Sequence, residues 1–73
     1  MKCNFKVVPS REVIENKEYE TYGISAICNG VEISRINSIS PNREEIESLA
    51  QICNDFALDP EHLKNIVEDF IVK

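Results

Sequence analysis

Seventy-three residues leave room for one domain, 1–73, with a modest core, because surface is large relative to volume at this size. With 42% hydrophobic and 29% charged residues and two glycines, the chain reads as folded, not disordered. The net charge of −5 falls in residues 37–73, which carry three basic and eight acidic groups, whereas residues 1–36 carry five of each; broad binding to nucleic acid or anionic lipid is therefore disfavoured and a basic partner is easier.

In chain order, "CNFKVV" alternates Cys3, Phe5 and Val7 against Asn4, Lys6 and Val8, a strand over about 3–8 that Pro9-Ser10 ends. Residues 11–18 either extend that strand or form a turn. "YETYGISAIC" is a clearer strand over 19–28, with Tyr22, Ile24, Ala26 and Cys28 on one face and Thr21, Gly23 and Ser25 on the other. Asn29-Gly30 then signals a two-residue hairpin loop, leading to a third strand over about 31–37. That loop pairs Cys28 with Val31 and Ala26 with Ile33. The alternation fails beyond Ile33, so a bulge is expected near Ser34–Ile36, with Gly23 opposite it, where the sheet bends or a backbone comes close.

Ser40-Pro41 reads as an N-cap and first helical residue, opening a helix over about 41–57 that buries Ile46, Leu49, Ala50, Cys53, Phe56 and Ala57. Asp59-Pro60 repeats the signal for a helix over about 60–72, with Leu63, Ile66, Val67, Phe70 and Ile71 as its apolar stripe and Leu58 stapled to Leu63. Strands first and helices last predict an α+β domain: a small antiparallel sheet of about three strands packed against two C-terminal helices.

Three cysteines, Cys3, Cys28 and Cys53, form no zinc knuckle and no CxxC pair. No apolar run has the length of a membrane span or a signal-peptide core. The expected setting is a reducing cytoplasm with the cysteines as small apolar residues. Cys3 and Cys28 approach each other if their strands pair, and a disulfide between them is the lesser reading.

Catalysis is not expected. His62 is the only histidine, and its helical neighbours at i+3 and i+4 are Asn65 and Ile66, poor metal ligands. His62 and Asp69 stand two turns apart, roughly 10 Å, too far to close on one ion. No metal, cofactor or catalytic residue is assigned, and the two isolated glycines build no phosphate loop. Tyr19 and Tyr22 fall on opposite sheet faces, so they make no stacking platform for bases.

The stretches "YETYGI", "ISRINSIS", "LAQICND" and "LDPEHLKNIVEDFI" together resemble a family of small uncharacterised proteins from low-GC Gram-positive bacteria. The likeness spans roughly residues 19–71 and rests on Tyr19, Tyr22, Gly23 and Ile24, on Leu49, Cys53 and Asn54, and on His62, Leu63, Val67, Glu68, Asp69 and Phe70. It implies a bacterial cytosolic setting and no known activity. It also singles out Glu68 and Asp69, acids that helix architecture does not require, and with Tyr22, Gly23 and His62 they form the expected recognition surface. The functional expectation is a small non-catalytic protein-interaction module using an acidic helical surface, its partner a second copy of itself or another protein. The sheet face bearing Tyr19, Thr21 and Ile27 is one self-association surface. The alternative is a small-ligand-binding accessory or regulatory protein with a shallow pocket between the last helix and the sheet, near Tyr22, Gly23 and His62.

Overall fold

The computed structural model describes residues 3–72, and the side chains of residues 3–71. Strands β1 (Cys3–Ile14), β2 (Lys17–Cys28) and β3 (Val31–Ser40) form an antiparallel meander in the order β1-β2-β3. Helix α1 (Arg43–Asp55), a 3-10 turn (Pro60–His62) and helix α2 (Leu63–Val72) follow. This is the α+β architecture that the pattern of strands and helices predicts.

Both hairpins turn on two-residue loops with positive φ at each residue: Glu15 and Asn16 (50° and 66°), then Asn29 and Gly30 (53° and 80°). The ambiguous residues 11–18 therefore extend β1, turn, and begin β2. Pro9 interrupts nothing because β1 is an edge strand. Residues of β1 and β2 alternate between hydrogen-bonded and open pairs, and counting from the Ile14–Lys17 closing pair leaves Pro9 on the open side, where no N–H is needed.

The same parity explains a helix–strand contact. Phe5 also has its N–H and C=O directed outward, and the Asn54 side chain of α1 meets both: Phe5 N–H donates to Asn54 Oδ1 (2.7 Å) and Asn54 Nδ2 donates to the Phe5 carbonyl (3.0 Å). A side-chain amide thus completes the strand edge as a neighbouring strand would.

Cys3 lies opposite Cys28 and the two are joined by a disulfide, with Cα atoms 4.0 Å apart. This corrects the reading of all three cysteines as free thiols. Cys28 closes the Asn29-Gly30 turn with Val31, so towards β1 it forms an open pair, the arrangement in which opposed side chains lie closest. Cys53 remains a free, buried thiol.

β3 departs from the expected register in two places. Cys28 pairs with Val31 as predicted, but Ala26 pairs with Ser34 and not Ile33, because the extra residue enters one position earlier than the alternation suggests. A second irregularity lies opposite Gly23, between the Ile24–Ile36 and Tyr22–Ser40 pairs. There the β3 backbone crosses so close that a Cβ on Gly23 would stand 2.0 Å from the Ile36 carbonyl oxygen. Ser38, at φ 54°, is carried over the sheet and its N–H donates to Ser10 Oγ of β1 (2.9 Å). Thr21 sits between them, bonded to Ser10 (2.9 Å) and Ser38 (3.1 Å). Thr21 is therefore buried, 5% exposed, and is not part of an open sheet face.

The helix starts also shift. Ser40 stays extended through its pairing with Tyr22, so α1 begins after Asn42, whose side chain accepts from Glu44 N–H (3.0 Å) and Glu45 N–H (3.4 Å). Ser40 and Pro41 are thus outside the helix. α1 ends in a Schellman motif: Leu58 N–H donates to the Cys53 carbonyl (3.0 Å) and Ala57 N–H to the Asn54 carbonyl (3.2 Å), with Ala57 left-handed at φ 47°. That reversal removes Phe56 and Ala57 from the buried stripe, leaving both exposed. Asp59 caps as expected, accepting from Glu61 N–H (3.0 Å), but the first turn it caps is 3-10 and α2 proper begins at Leu63. The core gathers Phe5, Ile24, Ala26, Ile46, Leu49, Ala50, Cys53, Leu63 and Val67 between the sheet and the helices, with Leu58 packed against it.

Candidate functional site

The five residues expected to form a recognition surface do not meet in one place. Gly23 is buried beneath the β3 crossing, where lack of a side chain is a packing requirement. Tyr22 is half-buried against the core and borders a cleft lined by Pro9, Ser10, Arg11, Glu20, Thr21 and Arg43. His62 is exposed in the 3-10 turn and Glu68 is exposed on α2. Asp69 lines a groove together with the exposed Ile52. A shallow depression does lie between the start of α2 and β3, lined by Ile33, Ser34, Pro60, Glu61 and Lys64, so neither Tyr22, Gly23 nor His62 borders it.

The strongest construction is a groove between α1 and α2. Glu45, Ser48, Leu49 and Ile52 line it from α1 and Ile66, Asp69 and Phe70 from α2, enclosing about 390 Å³. α1 buries Ile46, Leu49, Ala50 and Cys53, and α2 buries Leu63 and Val67. The apolar positions flanking those stripes, Ile52 on α1 and Ile66 and Phe70 on α2, then face one another without closing the gap. Ile52 is 51% exposed, whereas Phe56, the C-cap residue beyond α1, is exposed outside the groove. Acids stand on both walls, Glu45 on α1 and Asp69 on α2, and among the described residues none lining the groove is basic. Glu45 is held in part by the Ser40 hydroxyl, which donates to its carboxylate (3.3 Å).

Sequence reasoning found Asp69 and missed Ile52. Its signal was an apolar residue three positions beyond Leu49, out of phase with the buried stripe and set among glutamate and glutamine.

Shifted ionisations lie outside the groove. Glu32 is held below the usual carboxylate range by the buried Ser25 hydroxyl, which donates to it, and by Arg35, whose Nε stands 2.7 Å away. Burial pushes the Cys53 thiol up, which keeps it protonated and inert. Among the described residues no group of three or more histidine, cysteine or acidic side chains is arranged to hold a metal ion, and no helix is long and apolar enough to cross a membrane.

The chain belongs to a family of unknown function, DUF6514, whose model matches residues 1–73. The expectation of an uncharacterised family is met, and the match takes in the N-terminal strand that the motif likeness left out. No curated protein and no solved structure matches the chain.

Proposed function

We propose that this member of DUF6514 is a non-catalytic protein-interaction module that docks its partner on the face formed by α1 and α2. The observation carrying this reading is that exposed Ile52 shares one groove with the half-buried Ile66 and Phe70, with acids on both of its walls. An apolar centre with a charged rim is the ordinary anatomy of a protein interface. Large side chains left in water on a small domain also make such a site a better recognition surface than a solubility device. His62 is exposed and stands outside the groove. A cytoplasmic setting belongs to the same reading.

A photo-crosslinking residue placed at Ile52 tests the proposal in host cells, with the same residue at Lys6, exposed on the sheet face away from the helices, as the reference. A discrete heterologous adduct from position 52 that is absent from position 6 is the expected result. Adducts from position 6 alone, or none from either, contradict it.

A further inference from the structure

We infer that the occupant of the α1–α2 groove is a basic amphipathic helix of a partner chain. The inference rests on the groove being the docking surface and adds the chemistry of what docks there.

The helical form follows from backbone accounting. Both walls are helices, whose N–H and C=O groups are spent on their own hydrogen bonds, and the lining consists of side chains. An extended segment laid there would lose water from its backbone and find no strand edge to replace it. A helix brings its backbone bonds with it and offers apolar side chains at i, i+3 or i+4, and i+7. Apolar side chains recur along both walls to receive them, Leu49 and Ile52 on one and Ile66 and Phe70 on the other.

The charge follows from the rim. Glu45 and Asp69 flank the apolar floor, and Glu44 and Glu68 stand exposed beside them in the chain. A second copy docking by the same face across a twofold axis would bring one acidic rim against another, since both copies present the same surface. Like charges brought together in an interface oppose association, whereas lysine or arginine beside the apolar stripe of a partner helix meets both walls favourably.

The test uses the purified full chain and labelled model peptides of about four helical turns. One carries a leucine stripe flanked by lysine, one the same stripe flanked by glutamate, and one the lysine sequence broken by central prolines. Binding is read by fluorescence polarisation at low salt. The lysine helix is expected to bind roughly tenfold more tightly than the glutamate helix, with the margin shrinking as salt is raised. The Glu45→Lys/Asp69→Lys double variant is expected to invert that preference. Ile52→Asp is expected to weaken binding by about thirtyfold or more. These side chains are exposed or half-exposed, and circular dichroism verifies that each variant keeps the fold. Equal or tighter binding of the glutamate peptide overturns the charge assignment, and equal binding of the proline-broken peptide overturns the helical form. A dimer in light scattering that Ile52→Asp converts to monomer assigns the groove to a second copy and overturns the proposal. If no peptide binds while position 52 still crosslinks to a partner, the inferred chemistry falls and the docking surface stands.

Discussion

Gly23 shows how a residue singled out for recognition can be fixed by packing instead. Its missing side chain admits the Ile36–Asn37 backbone, which approaches within 2.0 Å of where a Cβ would stand. The intruding atom is a carbonyl oxygen of the backbone, not the end of a flexible side chain, so it has little room to yield. Gly23→Ala is expected to destabilise the fold by about 3 kcal/mol, read as a lowered denaturant midpoint. The close approach was legible beforehand, because a glycine facing an irregular stretch of strand marks a bend or a place where two backbones meet. Its consequence for Thr21 was not. The hydroxyl chain of Ser10, Thr21 and Ser38 depends on the detailed path of the β3 crossing, and hydroxyl residues look equally suited to water. Glu32 makes a second residue-level point. Its pKa is lowered in the fold, so the stability it contributes is present above the ordinary glutamate range and is lost as pH falls through the depressed folded value. Thermal melts of the wild type and Glu32→Gln should therefore differ at neutral pH and converge in acid. A constant offset down to the lowest pH at which the protein folds would refute the linkage.

At the scale of elements, apolar periodicity located both helices and the buried faces of β1 and β2, because those faces repeat over several turns or pairs, but on β3 the extra residue leaves Val31 and Ile33 exposed. The ends were less legible. Ser40 and Asn42 are both competent caps, and the choice was made by strand pairing: Ser40 is held extended opposite Tyr22. Phe56 continues the α1 stripe by spacing alone, yet the helix has reversed by then. Nothing local announced the Schellman motif, since its left-handed position is occupied by Ala57 where glycine is usual. That mismatch yields a prediction. Ala57→Gly relieves the left-handed strain of a side-chain-bearing residue and should raise stability by roughly 1 kcal/mol, seen as a higher denaturant midpoint with an unchanged slope. Asn54 tells a similar story. It falls within a motif shared with the family resemblance, and its visible work is to bind the β1 edge at Phe5, a contact across 49 positions that no local pattern encodes.

For the whole molecule, the separation of charge was plain from composition, and it survives folding as two acidic helices beside a sheet of mixed charge. What composition hid is that the acids border an apolar groove. The helices that bury Leu49 and Val67 against the sheet leave Ile52, Ile66 and Phe70 facing a shared gap, and that placement depends on two helix orientations that only the assembled core defines. The expected site residues scattered because they came from two motifs far apart in the chain, whereas the groove is assembled from two consecutive helices. The most direct measurement is an amide and methyl NMR titration of the isotopically labelled chain with the lysine-flanked helical peptide. The perturbations should be confined to Glu45, Ser48, Leu49, Ile52, Ile66, Asp69 and Phe70 and their immediate neighbours. Perturbations centred on the β1–β2 hairpin or on the sheet face away from the helices, or a spectrum unchanged at saturating peptide, would contradict the assignment of that groove.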